Sequence, residues 1–143
     1  MRTIKFRGKD KNGQWRYGQI DVRRISNGDL EYAIYQFPDT NFSGEESSWY
    51  WRNIDPDTIG QYTGLHDIHG NEVYEGDILK IGCEDYICEV VWLKKSASFS
   101  AAFFTFDKTF VNGLSLDDID LEVIGNVHDE KNHLYPIIDE LEA

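Results

Sequence analysis

Apolar and turn-forming residues alternate most densely between positions 59 and 81, IGQYTGLHDIHGNEVYEGDILKI, and the rest of the chain is organised around this stretch. Residues 61–65 read as extended. Asp67, Ile68, His69, Gly70 and Asn71 then tolerate a tight reversal, with Gly70 at the left-handed position. Residues 72–74 make a short strand that should pair backward. A second turn follows at Glu75, Gly76 and Asp77, where Gly76 suits positive φ and the short Asp77 carboxylate suits backbone N–H donors. Residues 78–81 resume the strand pattern. Turns this close leave no room for a helix, and they predict a hairpin that hands the chain from one small sheet to another.

Upstream, residues 3–8 and 15–22 are extended candidates around an Asn12-Gly13 reversal, which predicts a first hairpin. Alternation places Ile4 and Phe6 on one face, expected to point inward, and Lys5 and Arg7 on the other, expected to be wet or in contact with a partner. Arg23, Arg24 and a turn at Asn27, Gly28 and Asp29 lead into a third strand at residues 30–37, ended by Pro38. Residues 39–48, DTNFSGEESS, are the longest loop-like stretch and the best place for a mobile segment or a boundary. If the next residues are extended, Trp49 and Trp51 share a face opposite Tyr50 and need a core, an interface or a ligand to cover them. Pro56 favours a bend or a first helical position.

Downstream, residues 86–93 and 99–106 are strand candidates on either side of Lys94, Lys95 and Ser96. Phe99 and Phe103 fall on one face, Phe104 and Phe106 on the other, as in a strand covered on both sides. One helical turn is expected at residues 116–119, a last strand at 121–127, and a short terminal helix opening at Pro136 with Ile137, Ile138 and Leu141 on its apolar side. No internal repeat or low-complexity tract stands out. The expected fold is mainly β with few short helices: a single domain in two closely packed parts, an N-terminal hairpin-rich sheet over about residues 1–71 and a small C-terminal SH3-like barrel from residue 72, with a short tail.

Composition narrows the class. A chain of 143 residues buries roughly 70% of its unfolded surface. With 41% apolar and 14% aromatic residues it can build a core without a disulfide or metal staple. Cys83 and Cys88 would face opposite sides of one strand and are not expected to bond each other. The first seven residues lack the apolar core of a secretion signal and no run reaches membrane-spanning length, so the expected location is a reducing cytoplasm, with no membrane partner. The net charge of −12 argues against broad affinity for phosphate backbones. Charge is split along the chain: residues 1–24 hold eight basic and two acidic side chains, the remainder six basic and twenty-four acidic.

Four strings carry a resemblance. Ile4-Lys5-Phe6-Arg7, Ile59-Gly60-Gln61-Tyr62-Thr63-Gly64-Leu65, Tyr74-Glu75-Gly76-Asp77-Ile78 and Glu122-Val123-Ile124-Gly125-Asn126-Val127 are similar to the YopX family of phage and prophage proteins of Gram-positive bacteria. The similarity is anchored at both ends and in the middle. Gly8 departs from it, standing where the family usually has Ala, and residues 127–134 are looser than the usual ending. The resemblance implies a phage origin, hence the cytoplasm of a bacterial host, and a shared architecture. It brings no catalytic or binding residue to this sequence.

Candidate chemistry is sparse. His66, Asp67 and His69 have the residue types of a zinc site, but a structural site needs about four ligands and no Cys-x-x-Cys or HExxH spacing supplies them. A solvated turn is the favoured reading. Cys83 lacks an adjacent base and reads as packing. Asp117, Asp118 and Asp120 suit magnesium, yet more often such residues cap a helical turn. No Walker A, GxGxxG or GxSxG pattern occurs, so no catalytic, cofactor-binding or metal residue is assigned. The candidate interaction surface is Lys5, Arg7, Lys9 and Arg16 together with Trp49 and Trp51. The expected function is non-enzymatic: binding of protein partners, and self-association through the charge split. The alternatives are nucleic-acid binding by the basic hairpin, disfavoured by the acidic balance, and DNA mimicry by the acidic remainder, aimed at a host protein.

Overall fold

A computed structural model describes residues 3–36, 50–81, 86–104, 110–115 and 120–129, which form two compact units, Met1–Tyr62 and Thr63–Ala143. Residue 37, residues 39–48, Trp49, Cys83, residues 105–106, residues 116–119 and the Pro136 segment lie outside the described residues. Among those described, no helix is long and apolar enough to cross a membrane.

The first unit is built from β1 (Phe6–Lys9), β2 (Trp15–Arg24), β3 (Leu30–Gln36), β4 (Tyr50–Asn53), a single 3₁₀ turn (Pro56–Thr58) and the start of β5 (Gly60–His66). All pairings are antiparallel, in the order β4-β3-β2-β1-β5. Asp55 caps the 3₁₀ turn by accepting from Asp57 N, and Pro56 supplies the fixed first φ. Thr58 Oγ1 then accepts from Lys9 N at 2.8 Å and donates to Asp55 O at 2.7 Å, which ties the turn to β1. Among the described residues of this unit the buried apolar side chains are Ala33, Ile34, Ile54 and Tyr62. Ile54 Cγ2 occupies the place a Cβ on Gly8 would take, so the glycine lets β1 pass directly beneath it.

The second unit begins with the far end of β5 and continues through β6 (Glu72–Tyr74), β7 (Asp77–Ile81), β8 (Tyr86–Leu93), β9 (Ser98–Phe104), β10 (Phe110–Ser115) and β11 (Leu121–Asn126). Five of these strands form an antiparallel sheet in the order β10-β9-β8-β7-β11. Its core joins Val73 of β6 to Leu79, Ile81, Cys88, Val90, Ala101 and Leu121, with Leu65, Phe99 and Val123 packed against them. The organising stretch is as expected: β5, β6 and β7 are extended, and the turns take positive φ at Gly70 (84°) and Gly76 (91°).

Two expectations change. Among the described residues the sheet is open, since β10 and β11 are its two ends and do not pair there, so closure into an SH3-like barrel is not seen. Burial is reached by another route: Val73 and Leu65, from the hairpin preceding β7, cover the apolar face that closure would have hidden. The strand β10 was not signalled by the sequence. It pairs with β9 with a register shift between Phe110 and Asn112.

Candidate interaction surface

The hairpin of β1 and β2 turns on Asp10. Asp10 N donates to Gln14 O at 2.9 Å and Gly13 N to Asp10 O at 3.0 Å. One carboxylate oxygen accepts from Asn12 N (2.9 Å) and Gln14 N (3.0 Å), the other from Arg16 Nε (2.9 Å). Burial alone would raise this carboxyl's pKa; the bonds from Gln14, Arg16 and Asn12, with the Arg16 charge, outweigh it and hold the pKa below the ordinary value.

This turn fixes which cations meet. The register pairs Arg7 with Tyr17 and Lys9 with Trp15, and Tyr62 N bonds Lys5 O from β5. Lys5, Arg7 and Lys9 therefore share one face of β1 with aromatic neighbours on both sides. Lys5 Nζ lies 5.3 Å from the Tyr62 ring centre, and Arg7 Cζ and Lys9 Nζ lie 4.6 and 5.3 Å from that of Trp15. Cation–π contacts of this kind contribute about 0.5–2 kcal/mol, the upper end when desolvated. Arg7 is only 6% exposed, with Lys5 and Lys9 half-buried on either side of it, so the face of β1 expected to be wet is covered at its centre. The reason is the flat, weakly hydrated guanidinium, which can be buried against an indole where a lysine head is held nearer water.

Of the six candidate residues, the structure brings Lys5, Arg7 and Lys9 together and separates Arg16. Arg16 pairs with Gly8 on the other face of the ribbon, where it is held by Asp10 and by Gln14 Oε1 at 2.9 Å. Trp51 lies in β4 with its backbone opposite Tyr35, and Trp49 is outside the described residues. Trp15, Tyr17 and Tyr62 escaped the sequence reading. Their signal was position: Trp15 and Tyr17 follow the Asn12-Gly13 turn at the spacing that sets them opposite Lys9 and Arg7.

The turn that invited a zinc reading repeats the Asp10 device. Asp67 N donates to Asn71 O and Gly70 N to Asp67 O, at 2.8 and 3.0 Å. The carboxylate accepts from His69 N, Asn71 N, Asn71 Nδ2 and, across to β11, Val123 N. Burial would raise its pKa, and the bonds from Val123, Asn71 and His69 reverse the sign and lower it. Among the described residues no three His, Cys, Asp or Glu side chains gather as a metal would require. Cys88 is buried, its Sγ 3.8 Å from Leu79 O, and burial pushes its thiol up to about 12. Glu89 is raised by burial and by the neighbouring Glu75 charge.

Comparison with known proteins adds one finding. The family model described as YopX protein matches residues 5–134. No curated protein matches the chain.

Proposed function

Because the chain belongs to the YopX family, we propose that it is a phage- or prophage-encoded accessory protein of the bacterial cytoplasm that acts by binding and not by catalysis, engaging acidic protein surfaces and associating with itself. The observation behind this reading is the row Lys5, Arg7 and Lys9 set over Trp15 and Tyr62, with Tyr17 42% exposed beside it. Trp, Tyr and Arg supply most binding energy at protein interfaces, and cations already held over rings lose less freedom when a partner arrives. An acidic surface is available in the protein itself. The first unit holds nine basic and nine acidic residues, the second five and seventeen.

A surface of cations and rings also has the make-up of a base-stacking platform, so nucleic acid is the second reading. Capture from host lysate by the wild-type chain and by a Lys5→Glu/Lys9→Glu variant tests both. The expected result is a set of proteins lost with the variant and retained after nuclease treatment. An identical set from both chains overturns the proposed surface, and capture abolished by nuclease moves the assignment to nucleic acid.

A further inference from the structure

The strand β2 outruns its neighbour. Its first residues, Trp15 to Gly18, pair with β1, whereas Gln19 to Arg24 pair only with β3. The hydrogen-bond phase can be read from the flanks. Ile54 N bonds Tyr32 O, so Tyr32 points away from β2, and its partner Val22 must point away from β3. The same alternation applies to Ile20 and Arg24. Three consecutive outward positions of β2 thus present N–H and C=O groups along the edge that β1 occupies lower down, and among the described residues no strand pairs with them there. Such an edge is a template for another strand.

Its sequence selects the strand that fits. Read antiparallel about Val22, Ile20-Asp21-Val22-Arg23-Arg24 is complementary to itself: Asp21 faces Arg23 of a second copy, Arg23 faces Asp21, and Val22 faces Val22. We infer that two copies of this chain associate by pairing the β2 edge at residues 20–24 with its own equivalent, extending the hairpin of β2 and β3 into a four-stranded ribbon around a two-fold axis. The outward phase is correct for it, since Ile20, Val22 and Arg24 would meet even-numbered residues of the other copy as hydrogen-bonded pairs, each exchanging two N–H···O bonds. The pairing also covers Val22, which is 48% exposed in one copy. Within one chain Asp21 and Arg23 are already an exposed ion pair at 3.4 Å, so both carboxylate and guanidinium stand at the strand surface. The inference rests on the self-association half of the reading above and names the element that performs it.

Sedimentation equilibrium of the intact chain tests it, with charge variants and a cysteine pair. Asp21→Lys and Arg23→Glu each place like charges opposite one another twice and should weaken the dimer by about tenfold or more, while the double variant Asp21→Lys/Arg23→Glu should restore it. Folding is unaffected because the pair is exposed. Val22→Cys should form an intermolecular disulfide, since hydrogen-bonded partners lie about 5.5 Å apart at Cα. Arg24→Cys should not, the two copies of that position being roughly 14 Å apart along the ribbon. A wild-type dimer that is indifferent to Asp21→Lys and Arg23→Glu and gives no Val22→Cys disulfide overturns the β2 edge and leaves self-association standing. A wild-type chain that stays monomeric at high concentration removes both.

Discussion

Replacing Asp67 by Asn tests the central physical claim about the second unit, that one carboxylate holds the turn at residues 67–71 against β11. The side chain is 7% exposed and accepts four hydrogen bonds, from His69 N (2.9 Å), Asn71 N (2.8 Å), Asn71 Nδ2 (3.2 Å) and Val123 N (3.0 Å). Asparagine keeps the shape and one acceptor oxygen, which can still serve His69 and Asn71. Its amide nitrogen would then face the Val123 N–H, donor against donor. A bond to a charged acceptor is worth about 1.5–3 kcal/mol and a stranded buried donor costs about as much as it loses, so the expected loss is about 2–4 kcal/mol.

Acid provides an independent check. The folded carboxyl has a lowered pKa, so its stabilisation is fully present above the unfolded value of 3.8 and is lost as pH falls through the folded value. Urea unfolding of the second unit at neutral and acid pH, with hydrogen exchange of the Val123 amide, reads both effects. In Asp67→Asn the Val123 amide should exchange faster at neutral pH, and part of the acid limb of the stability curve should vanish. A variant within about 0.5 kcal/mol of wild type, with an unchanged acid limb, refutes the argument.

Other consequences follow from the same packing. A Cβ on Gly18 would run into the Tyr35 carbonyl, so Gly18→Ala should destabilise the first unit by about 1–3 kcal/mol and lower amide protection in β2 and β3; unchanged protection would mean the strands can separate at no cost. Cys88, with its thiol pushed up to about 12, should resist alkylation at pH 8 in the native chain and react on unfolding, as peptide mapping of that site will show. Glu89 has a raised folded pKa, so its ionisation opposes folding and stability attributable to it is lost as pH rises through that pKa. Glu89→Gln should therefore raise the urea midpoint at pH 7, with a smaller gain in acid.

The stretch at residues 59–81 was legible because each signal in it is local. Glycine at the tight corners, short acidic side chains beside them and apolar residues between fix turns and strands without reference to anything distant. Arg7 was not legible. Alternation assigned its face correctly, but whether that face is wet depends on Trp15 and Tyr62, one across a turn and the other far along the chain. The roles of Asp10 and Asp67 were half legible: their type and place announced turns, while the reach of Asp67 to Val123 depends on a contact 56 residues away. The open sheet was beyond the sequence for the same reason, because covering a face and closing it demand the same apolar pattern in each strand.

Ionic strength separates the two surfaces assigned to this chain. Lys5 and Lys9, half-buried beside the buried Arg7, work by attracting acidic groups, and charges at the surface lose most of their reach beyond about 10 Å at 0.1 M salt. Capture through that face should therefore fall steadily as salt rises. Pairing at the β2 edge is carried by backbone bonds and by Val22, with Asp21 and Arg23 setting register, so the dimer should persist where capture has gone. Measuring both on one sample across a salt series distinguishes the devices. Should dimer mass and partner capture decay together along the same curve, a single charged surface serves both, and the edge of β2 has been given a task that belongs to β1.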